Sequence, residues 1–273
     1  MATSRIDSRH LDIRIVDLGD VLLHEETDPD RVQRLQSAVL DTNLLRNPPI
    51  VAETSDGRFV VLDGATRTTA IRALGCPHIL VQVVQYGIDV QLEAWYHLLR
   101  PAAYAAVCEH VPITERIPLE VAQHRLRERT AAGAIAHADE TATLISVREH
   151  QTVSSVLRTL VRCYGGFGEI YRIVNDDLVR TIREVDEVSG VVMFPAWTPN
   201  DISRAATSGD LLPAGITRHV IPGRALNVNI SLDMLLLDAP RASKSAWLER
   251  WLSSKITARK VRFYHEAVFV FDD

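Results

Sequence analysis

The stretch Val60-Val61-Leu62-Asp63-Gly64-Ala65-Thr66-Arg67 decides how the first third of this chain is read. An apolar strand delivers an acid and a glycine to the start of a helical segment, expected over residues 68–74 and closed by Gly75. Where a strand runs into a helix N terminus, the first N–H groups have no partner within the helix and the positive end of its dipole is exposed. Such a junction favours phosphate. Gly64 lets the backbone approach closely. Thr66 and Thr68 add hydroxyls, Arg67 adds a forked permanent charge, and Asp63 is a candidate ligand for Mg²⁺ bridging phosphates. The same residues also read as a plain turn in which Asp63 caps the helix.

Working outward, residues 12–23 alternate apolar and polar side chains, as a strand and turn do. A polar stretch, His24-Glu25-Glu26-Thr27-Asp28-Pro29-Asp30, then leads into a helix carrying Val32, Leu35, Val39 and Leu40, with Thr27 or Asp28 as its cap. Strands follow at 50–52 and 58–62 about a Ser55-Asp56-Gly57 turn, and an apolar, β-branched strand at 79–84. The first ninety residues thus form a compact unit of strand, helix, strand, strand, helix, strand, and the fold class is α+β. From 90 to 130 the pattern is mainly helical. A helix is expected at 154–163, stopped by Gly165-Gly166, and another opened by the Thr198–Asp201 capping box. Residues 216–221 and 225–232 read as two strands about Pro222-Gly223, and Trp247 and Trp251 as core residues of a C-terminal helix. A boundary near residue 100 divides the chain into domains at 1–100 and 101–273.

Composition narrows the function. With 47% hydrophobic and 24% charged residues the chain is globular and not disordered. Its net charge of −5 argues against nucleic acid and acidic membrane as partners. Lys244, Lys255 and Lys260 are its only lysines, so phosphate contacts in the first two hundred residues must use Arg, His, hydroxyls or backbone N–H groups. Cys76, Cys108 and Cys163 form neither a disulfide framework nor a metal pair, and a reducing cytoplasmic setting fits them. The polar start, Met1 to His10, lacks a signal peptide's apolar region, and no apolar run reaches membrane-spanning length.

Four other segments carry candidate chemistry. A carboxylate in His24-Glu25-Glu26 can act as a general base toward a substrate hydroxyl, or be one of several solvated acids. Thr217, Arg218 and His219, with Arg224 beyond, can clamp a small carboxylate, or line an exposed hairpin. Tyr164-Gly165-Gly166-Phe167-Gly168 mimics part of a dinucleotide fingerprint, but it follows a helical pattern and reads as a helix stop. His137 and Asp139 are too few for a metal site.

These residues resemble a known family. Asp63-Gly64-Ala65-Thr66-Arg67, with Ala70 and Leu74-Gly75, resembles the D-G-x-H-R-x-x-A-x-x-x-L-G motif of ParB/sulfiredoxin-like domains. His24-Glu25, Arg31, Leu35 and Arg46-Asn47-Pro48-Pro49-Ile50-Val51 resemble the H-E … R-x-P-I-x-V stretch of ParB-like free serine kinases, the siderophore-biosynthesis type most of all. The resemblance extends through Trp95-Tyr96-His97, residues 213–218 and Gly223-Arg224-Ala225-Leu226-Asn227, and is loose over 105–195.

It implies a ParB/sulfiredoxin-like nucleotide-binding domain followed by an α+β domain that completes an amino-acid pocket. It also implies phosphoryl transfer from ATP or ADP, with Mg²⁺, to free L-serine, the O-phospho-L-serine passing to a downstream enzyme. By resemblance Glu25 is the catalytic carboxylate. Asp63, Gly64, Ala65, Thr66, Arg67 and Thr68 form the nucleotide site, with Asp63 on the metal, and Trp95, His97, Thr217 and Arg218 shape the serine pocket. The chain departs from the motif at Thr66, which stands where the family has histidine. Ala65 also differs from the catalytic cysteine of sulfiredoxins and from the glutamate of chromosome-partitioning ParB proteins. Two alternatives stand beside the kinase: a ParB-like nucleotide-binding transcriptional regulator without kinase activity, and a retained fold with catalysis lost.

Overall fold

The computed structural model describes residues 11–167, 170–174 and 177–262. Met1 to His10 and Gly168 lie outside them. The chain forms two compact units. The first takes the described residues to Leu23, then Thr27–Gln91, then those from Ile221 onward; the second takes His24–Glu26 and Leu92–Val220. The first break falls at 91/92, against the boundary expected near 100, and residues 221–262 belong to the first unit.

The first unit opens with β1 (Asp12–Asp17) and β2 (Val21–Leu23), joined by a single 3₁₀ turn. Helix α1 (Pro29–Thr42) starts where the Asp28 carboxylate accepts the N–H groups of Asp30 (2.8 Å) and Arg31 (3.3 Å), with Pro29 fixing the first turn. Its core face is Val32 and Val39; Leu40, expected there, is 57% exposed. After the short β3 (Leu44–Leu45) come β4 (Ile50–Glu53), β5 (Phe59–Asp63), α2 (Ala65–Ala73) and β6 (His78–Val84). The sheet order is β1-β6-β4-β5-β2. The β1–β6 and β4–β5 pairs are antiparallel, and β4–β6 and β2–β5 parallel. Its core holds Val51, Val61, Ile71, Ile79, Leu80 and Val81, all essentially inaccessible to water.

Strand β7 (Gln91–Ala94), all but its first residue in the second unit, is followed there by β8 (Tyr96–Leu99), α3 (Pro101–His110), β9 (Ile113–Pro118) and α4 (Leu119–Arg127). Three strands thus occupy a stretch expected to be mainly helical. They form through pairing with distant segments, β8 with residues 172–173 and 190–192, β9 with 141–145, which local periodicity does not report. There follow β10 (Gly133–Ala136), β11 (Thr141–Ile145), α5 (Val153–Gly165), β12 (Arg172–Ile173), α6 (Leu178–Glu184), β13 (Gly190–Met193), α7 (Pro199–Ser208) and β14 (Thr217–Val220). An antiparallel sheet runs β12-β8-β13-β10-β11-β9, and β14 pairs with β7. The Thr198–Asp201 capping box forms as expected.

Back in the first unit, β15 (Ile230–Ser231) pairs with β3, and α8 (Leu232–Leu236) and α9 (Arg241–Thr257) follow. The strand expected over 225–232 shrinks to two residues. Asn227 and Asn229 adopt left-handed backbone, φ 52° and 54°, which no strand tolerates. The loop is fixed instead by side chains: Ala225 N–H donates to Gln82 Oε1 (2.8 Å), Gln82 Nε2 to Gly223 O (2.9 Å), and Asn227 N–H to Asn47 Oδ1 (2.7 Å). Trp247 and Trp251 stack on α9 with centroids 6.0 Å apart and pack on the core.

Candidate functional site

In the first unit the strand-to-helix junction is more abrupt than the sequence suggests. Helix α2 begins at Ala65, three residues earlier than expected, so Thr66, Arg67 and Thr68 lie in its first turn. Its N-cap is Gly64, at φ 95°, and no side chain caps it. The N–H groups of Ala65, Thr66 and Arg67 therefore point out of the helix end as an anion site needs. A Cβ on Gly64 would lie 2.9 Å from Arg67 Nη2 and 3.0 Å from its Cζ and Nε, so the guanidinium rests directly on the glycine.

Asp63 is not the cap. Its Oδ2 accepts from Arg67 Nη2 (2.8 Å) and from Arg224 Nη1 (2.6 Å). Burial alone would raise the Asp63 pKa, but the two guanidiniums outweigh it and hold the carboxyl below its usual value. Arg67 Nη1 also donates to Asn47 O (3.0 Å) and Pro48 O (3.1 Å), which leaves its Nε–H and one Nη2–H for a ligand. The Thr68 hydroxyl is buried and donates back to Gly64 O (3.1 Å), so it is spent within the turn and not offered to phosphate. Asp63 does not fit a direct Mg²⁺ ligand here, because two cations already share its oxygen. Among the described residues no three His, Cys, Asp or Glu side chains gather where a metal would need them. His137 instead meets Thr143 (2.8 Å), and Asp139 meets Arg116 (2.7 Å).

In the second unit the segment His24–Glu26 is stitched to residues 212–217. Leu212 N–H donates to His24 O (2.9 Å), and Glu26 N–H to Leu212 O (2.8 Å). The Gly215 N–H donates to Glu25 Oε2 (3.0 Å), and His24 Nε2 meets Thr217 Oγ1 at 3.0 Å. Glu25 is half-buried, whereas Glu26 is bound to Arg162 (2.7 Å). Of the two acids, Glu25 is the one held by an uncharged donor, at Oε2, and a carboxylate held this way can accept a proton. His219 lies edge-on to His24, centroids 5.4 Å apart.

The expected serine-pocket residues divide. Arg218 pairs with Glu93 and stacks over the Trp95 ring at 5.0 Å. His97 is fully buried and both ring nitrogens are committed, Nδ1 to Tyr164 Oη (2.6 Å) and Nε2 to Gly215 O (2.9 Å). Its two nitrogens thus tie α5 to the backbone at Gly215, and neither is left over for another partner. An open cavity of about 490 Å³ in this unit is lined by Glu93, Tyr96, Arg127, Phe194 and Trp197 among others, but by none of Trp95, His97, Thr217 or Arg218. The Tyr164–Phe167 segment is the C-terminal end and stop of α5, as expected. Gln82 and Glu93 stand in none of the segments singled out in the sequence, and the contacts of Gln82, Glu93, Asn47 and Tyr164 described above were not legible there because their partners lie 67 to 180 positions away.

No family model matches the chain. It is 24% identical over 261 residues to an ATP-dependent L-serine kinase, SbnI, of Staphylococcus aureus, covering 96% of this chain and 97% of that protein. It is 23% identical to an ADP-dependent L-serine kinase, SerK, of Thermococcus kodakarensis, covering 84% and 96%. A free serine kinase solved in complex with AMP superposes with a TM-score of 0.70 at 17% identity, over 86% of this chain and 98% of the other. The chain has the α+β fold of the free serine kinases along most of its length.

Proposed function

We propose that this chain transfers a phosphoryl group from a nucleoside phosphate to the hydroxyl of free L-serine, giving O-phospho-L-serine. The observation that carries the proposal is the Glu25 carboxylate, pinned at Oε2 by the Gly215 N–H, in a chain matched almost end to end by L-serine kinases. The regulator without kinase activity has no comparable support.

In this reading the uncapped α2 terminus, with N–H groups of Ala65, Thr66 and Arg67 and the remaining Arg67 donors, binds the donor's phosphates. Thr66 contributes a hydroxyl where a histidine would bring charge. Asp63 aims Arg67 and Arg224. Thr217 and the Trp95-stacked Arg218 shape the amino-acid pocket. Glu25 accepts the serine hydroxyl proton as the new O–P bond forms and the bond to the nucleotide's leaving oxygen breaks. Positioning and electrostatics supply most of the acceleration in such transfers. A cytoplasmic setting and a place in siderophore or other amino-acid-derived biosynthesis complete the reading.

The test is incubation with L-serine, Mg²⁺ and either ATP or ADP, with phosphoserine read by mass spectrometry. The relatives use different donors, so both are needed. A positioned base contributes about 10²–10⁴-fold. Glu25→Gln is therefore expected to fold and to lose at least about 10²-fold in turnover. Near wild-type turnover removes Glu25 from the role.

A further inference from the structure

We infer that Tyr164 and His97 are positioning residues for Glu25, acting through Gly215. The inference rests on Glu25 being the base. Gly215 O only accepts, so His97 Nε2 must carry the proton it donates across 2.9 Å. A neutral imidazole then has a bare Nδ1, and the Tyr164 hydroxyl, 2.6 Å away, must donate to it. The Gly215 N–H in turn donates to Glu25 Oε2. Three side chains and one glycine thus form a single directed series, Tyr164 to His97 to Gly215 to Glu25, all within the second unit.

Two observations favour a built device over a chance contact. Burial holds the Tyr164 proton on and pushes the His97 pKa down to about 4, so both partners keep these roles at neutral pH. Gly215 is also locked. Its φ of 77° suits glycine, and a Cβ there would collide with the Arg172 guanidinium. With both its carbonyl and its N–H engaged, the residue cannot rotate without releasing either His97 or Glu25. Phe194 closes the far side of the imidazole, edge-on at 5.0 Å.

Tyr164→Phe removes one hydroxyl and frees His97 to adopt the other tautomer, which turns a lone pair toward Gly215 O. The experiment is a double-mutant cycle in turnover: wild type, Glu25→Gln, Tyr164→Phe and both together, at saturating serine and donor. Tyr164→Phe is expected to lower kcat about tenfold, within the range for a misplaced catalytic group, with both KM values within about twofold. In the Glu25→Gln background the same change is expected to cost less than about twofold, because the carboxylate it serves is gone. An equal loss in both backgrounds marks a merely structural tyrosine and overturns the inference, as does an unaffected Tyr164→Phe beside an inactive Glu25→Gln. An active Glu25→Gln overturns the base itself and the series with it. Should Tyr164→Phe fail to fold, long-range ¹H–¹⁵N spectra of the wild type decide: His97 is expected as the neutral Nε2–H tautomer at pH 7, and an Nδ1–H or doubly protonated ring refutes the series.

Discussion

Acid should weaken this protein through His97 by a calculable amount. The imidazole is fully buried on β8, and burial, with a smaller contribution from the nearby Arg172 charge, lowers its pKa to about 4. In the unfolded chain the value is about 6.5. Between those two values the unfolded chain binds the extra proton, so stability present above about pH 6.5 is lost as pH falls toward 4 and levels off below it. Linkage with these values gives a loss of about 2 kcal/mol at pH 5 and less than about 0.1 kcal/mol at pH 7.5. The assay is urea unfolding followed by circular dichroism at both pH values, for the wild type and for His97→Gln. Glutamine keeps a donor toward Gly215 O but does not titrate. His78 and His137, whose pKa values burial also lowers, remain in both proteins and cancel from the comparison. The wild type should lose about 2 kcal/mol more than the variant between pH 7.5 and 5. Equal losses, within about 0.5 kcal/mol, would refute a neutral buried His97 and the tautomer argument built on it.

Two further perturbations address the phosphate end. Gly64→Ala must hold a left-handed backbone, at about 1–2 kcal/mol, and its Cβ would meet the Arg67 guanidinium at 2.9–3.0 Å. It should lower the thermal midpoint by several degrees and weaken ADP binding at least about tenfold by calorimetry, and unchanged binding would refute the cradle. Asp63→Asn keeps the shape but drops the charge that aims Arg67 and Arg224, so ADP affinity should fall several-fold alike in Mg²⁺ and in excess EDTA. A loss confined to Mg²⁺ would restore Asp63 as a metal ligand.

Local features of the fold were legible, and the partners were not. Strand β5, the Asp63-Gly64 break and the existence of a helix behind it follow from apolar run, turn residue and period, although that helix starts at Ala65, three residues before the expected position. The capping box at Thr198 is equally local. The strands of 91–118 failed this reading because their partners lie downstream, and a short apolar run beside alanines scores as helix until something pairs with it. The loop at 225–229 failed for a different reason. Its alternation of Leu226, Val228 and Ile230 with two asparagines imitates a strand, and only the left-handed backbone at Asn227 and Asn229 reveals that the asparagines bend it.

The same distinction separates the residues proposed to touch a substrate from those that hold them. Glu25 and Arg67 stand in short motifs because chemistry fixes their type and their neighbours. Gln82 stands in none, and the segment around Tyr164 says nothing of its hydrogen bond to His97, since a buried donor serves equally well from any element that reaches the spot. His97 shows the consequence most plainly. Its place in Trp95-Tyr96-His97 marks it as important, but motif position does not say whether a side chain faces a ligand or the loop behind it. Two hydrogen bonds decide that, and they come from residues 67 and 118 positions further along the chain. A histidine with both nitrogens engaged and no charge at neutral pH cannot bind a carboxylate as a cation or take a proton from a hydroxyl. What it can do is keep one glycine still, and through that glycine keep the Glu25 carboxylate oriented.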